Sequence, residues 1–232
     1  MKKFNELFNK IIAESMATQD IKGFVEPEYL KPYEIEKLHK FVEKNKLIYN
    51  SDTDRCDCDH NLEIYRDVKW EVCVQGGYYL GIKFGVVKGK FLIGTDWLNT
   101  LYGSPTRVEG DYVVLSESQI SNFYGAPEYV GGNFKADSCG VTSTKGLPKY
   151  IGGNLEITHC NNLFKIIIDP ETVIGGNISF VGCSRASHTH EFYYALQTAL
   201  PKSFKGDIIL PNRHKYSADL IRSGNFSDPN WC

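Results

Sequence analysis

Two short clusters carry the side chains whose types could do chemistry. "RCDCDH" places Cys56, Cys58 and His60 within one turn of chain, a set of thiolate and imidazole donors suited to a soft metal. Structural zinc sites usually pair a Cys-x2–4-Cys unit with a second, distant pair of ligands. Here Asp59 and Cys73 are the nearest further donors. The spacing therefore favours a polar loop holding two reduced thiols, and no metal or cofactor is assigned. "SHTH" offers His188 and His190 near Arg185, a combination able to move protons or hold phosphate. No nucleophile or carboxylate accompanies it in a motif, so a solvated loop accounts for it. The chain has no phosphate loop, no Gly-x-Ser-x-Gly and no His-Glu-x-x-His. It therefore reads as a non-enzyme.

The elements that would position these groups follow from composition and pattern. The 232 residues carry a net charge of −2, which gives no electrostatic footprint for nucleic acid or an anionic membrane. No apolar run approaches the roughly 20 residues of a membrane-spanning helix. The seven cysteines are an odd number in a chain too large to need disulfides, so reduced thiols are expected.

The strongest pattern is a repeat. "GGNFKADSC" from Gly131 returns as "GGNLEITHC" from Gly152 and "GGNISFVGC" from Gly175, preceded by "KGKFLIGTD" from Lys88 and "EGDYVVLSE" from Glu109, with a weaker "KGDIILPNR" from Lys205. The anchors Gly89, Gly110, Gly132, Gly153 and Gly176 are separated by 21, 22, 21 and 23 positions. Such a period lies in the leucine-rich-repeat range. After each anchor the residues alternate, as in a strand with one buried face. Phe91, Tyr112, Phe134, Leu155 and Ile178 form one inward column; Ile93, Val114, Ala136, Ile157 and Phe180 form another.

Leu98, Ile120, Val141 and Leu163, each followed three positions later by Leu101, Phe123, Thr144 or Ile166, mark the returning side of a coil. "YGSP", "YGAP" and "KGLP" then turn the chain. Cys139, Cys160 and Cys183 fall at one register position, where a small group meets a bend. The cysteines are thus expected to be structural, the glycine pairs to turn the backbone, and the strands to stack.

The runs "IKFGVVKGKF", "LYGSPTRVEGDY", "FYGAPEYVGGNF" and "GLPKYIGGNL" resemble the leucine-rich-repeat-like proteins of large tailed bacteriophages, over about Ile82 to Cys183. The chain departs from that pattern at "IIDPETVIGG", which lacks the Gly-Ala-Pro turn, and after Cys183. The resemblance implies a solenoid and no reaction. The first residues also resemble phage head-targeting peptides cut after Leu/Ile-x-Glu, with Glu14 of "IAE" as the cleavage point. An amphipathic helix through Phe4, Leu7, Phe8, Ile11 and Ile12, docked on its own domain, explains the same residues.

The expected fold is α+β: a leucine-rich-repeat-like solenoid of five to six coils over 81–183, a mainly helical N-terminal cap over 1–80, and a helical insertion with a C-terminal cap over 184–232. Ile35, Leu38, Phe41 and Val42 give the cap an apolar helical face, and strands are expected near 69–75 and 78–87 around a Gly-Gly turn. Phe192, Leu196 and Leu200 give the insertion its helical spacing, and it reads equally as a recognition element or a cap.

Alternation turns Leu92, Val113, Lys135, Glu156 and Ser179 outward in one column, and Gly94, Leu115, Asp137, Thr158 and Val181 in the next, beside Trp97 and Tyr102. Exposed apolar residues with a charged border suit a protein partner. A helix or the N-terminal segment lying over that face is the alternative. In a phage setting the expectation is a recognition protein in the host cytoplasm that binds a host or defence protein, as in host takeover or anti-defence, with inhibition of that partner left open. The alternatives are a structural protein packaged inside the phage head and a small-ligand or metal-binding enzyme using the N-terminal region.

Overall fold

The computed structural model describes residues 23–24, 31–65, 73–74, 77–78, 80–115, 119–184 and 190–224. The N-terminal stretch with Phe4 to Ile12 and Glu14, the histidine loop with Arg185 and His188, and residues 69–72 of the expected strand lie outside them.

The architecture is a β-solenoid of about four turns with three helices among the described residues. Each regular turn contributes two strands to two different sheets. The two-residue strands Arg107–Val108, Tyr129–Val130, Tyr150–Ile151 and Val173–Ile174 run parallel in a seven-stranded sheet. The strands Tyr112–Leu115, Phe134–Asp137, Leu155–Thr158 and Ile178–Ser179 run parallel in an eight-stranded sheet. Between them lies the Gly-Gly-Asn corner.

That corner is where the repeat acquires its physical reason. A methyl carbon on Gly131, Gly152 or Gly175 would stand 2.2 Å from the carbonyl oxygen of Glu109, Gly131 or Gly152 in the coil before. These glycines lie in the bend of the corner, as expected, and what requires them there is backbone-to-backbone approach and not a left-handed φ. The following polar residue links coils. The Asn133 N–H donates to Asp111 Oδ1 at 2.7 Å, Asn154 N–H to Asn133 Oδ1 at 2.8 Å, Asn177 N–H to Asn154 Oδ1 at 2.8 Å, and Asp207 N–H to Asn177 Oδ1 at 2.9 Å. Each satisfies a backbone donor that the corner leaves outside the sheet ladders. The turn glycines Gly103, Gly125 and Gly146 are the left-handed ones, at φ +92°, +88° and +91°.

Both inward columns of the eight-stranded sheet are wholly buried, as are Leu98, Leu101, Ile120, Phe123, Val141, Thr144 and Leu163 on the return side. Phe91, Tyr112 and Phe134 stack through the core at centroid spacings of 5.8 and 5.4 Å. Such pairs add about 0.5–1.5 kcal/mol each beyond their buried area. Burial pushes the pKa of the Tyr112 phenol up; its oxygen lies 3.0 Å from Ser104 Oγ.

Both sheets extend N-terminally past residue 81. Arg55–Cys58 pairs with Phe84–Val87, and Leu62–Tyr65 pairs in register with Phe91–Gly94. The described part of residues 1–60 therefore holds one helix, α1 (Pro32–Lys44), followed by a hairpin of Ile48–Asn50 against Arg55–Cys58. Pro32 starts α1, the Glu34 carboxylate accepts the Lys31 N–H at 2.7 Å, and Ile35, Leu38 and Phe41 form the buried face. Of the expected strands around the Gly-Gly turn, Cys73–Val74 pairs antiparallel with Gly77–Tyr78.

After Ser179, helix α2 (His190–Ala199) lays Phe192 edge-on against Phe180 at 5.3 Å, with Leu196 buried beside it. Asp207–Ile209 then rejoins the sheet in parallel with Ile178–Ser179. Helix α3 (Ala218–Ser223) closes the described chain, capped by Ser217 and ended by left-handed Gly224.

Candidate recognition face

Strand register brings the expected outward column together. Leu92 lies opposite Val113, Val113 opposite Lys135, Lys135 opposite Glu156, and Glu156 opposite Ser179. The column continues to Glu63 at one end and Ile209 at the other. In the second column Leu115, Asp137 and Thr158 are in register. Val181 stands just past the last strand of its coil.

Exposure narrows this face. Leu92 is only 6% exposed and Ser179 only 8%, so neither presents a side chain to a partner. Val113, Leu115, Lys135, Asp137, Glu156 and Thr158 are half-buried and make up its accessible centre. Trp97 packs against the core with its indole Nε1 buried. Tyr102 is exposed, but at the Gly103 turn where the return side ends, away from the strands.

The alternation rule missed Tyr65. Its ring lies across Gly94, 3.2 Å from where a methyl carbon would stand. Its hydroxyl donates to Glu63 Oε2 at 2.8 Å, and Lys90 pairs with the same carboxylate at 2.5 Å. The signal was a bulky aromatic opposite a glycine in paired strands, visible only once the register Tyr65–Gly94 is known.

Lys135 and Glu156 stand 4.0 Å apart and partly exposed, a geometry that contributes little to stability and keeps both charges available. Asp137 is more tightly held. Its Oδ1 accepts the Thr158 hydroxyl at 2.6 Å and His159 Nδ1 at 2.9 Å. Burial pushes its carboxyl up, but those two hydrogen bonds outweigh it and the pKa falls below the ordinary aspartate value. His159 was not singled out by sequence, because it occupies a register position filled by serine and glycine in the neighbouring coils.

The metal-ligand cluster dissolves. Cys56 and Cys58 sit two apart on a strand, both buried, while His60 is exposed in the turn beyond; the polar-loop expectation is corrected accordingly. Desolvation, with Asp57 and Asp54 nearby, pushes the Cys56 thiol up to about 11, and desolvation also raises Cys58. Cys58 Sγ lies 3.6 Å from His60 Nδ1, and the same nitrogen meets Asp59 at 2.8 Å. A relay needs opposite ring nitrogens, so this is no nucleophile–base–acid chain. Among the described residues no group of three or more donors could hold a metal.

The cysteine column is structural. Cys139, Cys160 and Cys183 are buried and donate to the carbonyls of Val114, Ala136 and Ile157 in the preceding coil, at 3.5, 3.8 and 3.2 Å. Although a hydrogen bond from Cys139 favours its thiolate, the bond to Cys183 and burial push the Cys160 thiol up to about 12.

No family model, curated protein or solved structure matches the chain. No helix among the described residues is long and apolar enough to cross a membrane.

Proposed function

We propose that the chain is a non-enzymatic recognition module that binds another protein through the outward face of its eight-stranded sheet. The observation that carries this reading is the register that joins Val113 and Leu115 to Lys135, Asp137, Glu156 and Thr158 in one accessible patch. A rigid parallel ladder presents such a patch without ordering cost on binding. Apolar residues at one end supply contact area, and the charges beside them supply specificity. The repeat's resemblance to leucine-rich-repeat-like phage proteins supports a partner of host origin, a host or defence protein met in the host cytoplasm. In this reading α1 and the N-terminal strands cap the solenoid.

The test is affinity capture from bacterial lysate by the tagged chain, beside the combined variant Val113→Asp, Lys135→Glu, Glu156→Lys, with circular dichroism confirming that both are folded. One protein retained by the native chain and lost from the variant is the expected result. Capture that is the same for both chains overturns the strand-face reading.

A further inference from the structure

Where the strands end, the coils leave a shallow pocket of about 380 Å³ bordered by Gln119, Ser138, Gly140, His159, Asn161 and Asn162. Two of these groups are fixed in advance. His159 holds a left-handed backbone at φ +52°, its ring lies across Gly182, and its Nδ1 meets the Asp137 carboxylate. A carboxylate only accepts, so Nδ1 carries the proton of this bond. Asn161 is fixed as well. Its Oδ1 accepts the Ser184 hydroxyl at 2.9 Å, which leaves its Nδ2 group as a donor.

From these residues the geometry points to a binding site for a neutral polyhydroxylated ligand, a single sugar unit of a glycan, at the strand-end corner beside the recognition face. The border contains no lysine, arginine, aspartate or glutamate, and apart from the imidazole its polar side chains are amides and a hydroxyl. The amides and the Ser138 hydroxyl give one open pocket both donors and acceptors, which match adjacent hydroxyls, each of which donates and accepts. Amides of Gln119 and Asn162 extend the same chemistry along the rim. The left-handed position points the same way. The next coil fills it with Gly182 at φ +74°, which avoids the strain an imidazole-bearing residue accepts there. This site is independent of the protein-binding reading, since none of its bordering residues is among the patch residues changed in that test.

The experiment is a two-dimensional amide NMR titration of the full chain with methyl β-D-glucopyranoside, methyl β-D-galactopyranoside and N-acetylglucosamine, each separately, and with N-methylacetamide and inorganic phosphate as contrasts. Saturable shifts confined to Ser138, Gly140, Asn161 and Asn162 with at least one sugar are expected. His159→Gly and Asn161→Ala should each weaken that binding at least tenfold while the remaining resonances stay in place; the glycine variant suits the left-handed backbone and so keeps the fold. Three outcomes overturn the proposal. One is no saturable shift with any of the three sugars, and another is sugar binding unchanged in both variants. The third is saturation by N-methylacetamide or phosphate alone, which would make the pocket a peptide or an anion site.

Discussion

The two ends of each regular strand are both corners of the coil, yet they obey different rules. At the Gly-Gly-Asn corner the neighbouring coil's carbonyl stands 2.2 Å from where a methyl carbon on Gly131, Gly152 or Gly175 would be, and an amide ladder fills what space remains. At the strand-end corner the equivalent residues are Ser138, His159 and Gly182, all left-handed at φ +57°, +52° and +74°, with no common side chain. In these three coils a Cβ is excluded there, and the second glycine recurs in every coil from Gly89 to Gly206. The strand-end position accepts serine, histidine and glycine, and there the departures from the repeat collect. The contrast explains why the glycine pairs announce the fold, while the polar cluster around Asp137 and His159 stays hidden.

Substitution at the first corner has the largest expected effect. Gly152→Ala places a methyl against the Gly131 carbonyl, which belongs to the sheet corner and has no rotamer by which to retreat. Overpacking of this kind, with loss of a coil-to-coil hydrogen bond, should cost about 3 kcal/mol or more. His159→Gly at the second corner should change stability by less than about 1 kcal/mol, because a glycine suits the left-handed backbone and offsets the lost bond to Asp137. Urea unfolding of both variants measures the gap. Equal losses would mean that the corners do not differ in kind.

A smaller loss is expected within the first corner when the ladder alone is broken. Asn154→Ala leaves the Asn177 N–H without its acceptor at 2.8 Å and removes the oxygen that packs against Gly176, while the backbone approach at Gly175 is kept. One unsatisfied, partly buried amide should cost about 1–2 kcal/mol. Hydrogen exchange checks the location as well as the size. The Asn177 amide should lose protection relative to Asn133, whose acceptor Asp111 is untouched.

The same division governs how much was legible in the sequence. The inward columns, the return-side apolar pairs, the turn glycines and the rejoining strand at Asp207–Ile209 follow from period and alternation, and each lies where those patterns put it. The second sheet did not follow, because a strand such as Arg107–Val108 has two residues and two residues carry no period. Arg55–Cys58 escaped for a related reason: its inward residues are cysteines, which a metal-ligand reading claims before an alternation reading does. Leu92 and Ser179 were placed on the correct column but with the wrong exposure, since alternation gives direction and says nothing of what lies above. Tyr65, His159 and Asn161 depend on contacts between coils, and no spacing within one coil encodes them.

The smallest effect is a pH dependence at the second corner. Asn133 and Asn154 join coils through amides that do not titrate, whereas Asp137 joins them through a carboxylate. Its folded pKa is lowered, because the bonds from Thr158 and His159 prevail over burial. The native state therefore binds this proton less readily than the unfolded chain. The stabilisation is complete above the ordinary aspartate pKa and is lost as pH falls through the lower folded value. Asp54, held by Lys83 and the Gly23 N–H, contributes an acid limb with the same sign, so the informative quantity is a difference. Subtracting the urea midpoints of Asp137→Asn from those of the native chain should give a curve that is flat at neutral pH and declines only under acid. The side chain is 30% exposed, so solvent screening keeps that decline modest. A difference that stays flat down to acid unfolding would show that Asp137 only orients His159 and contributes no stability between coils.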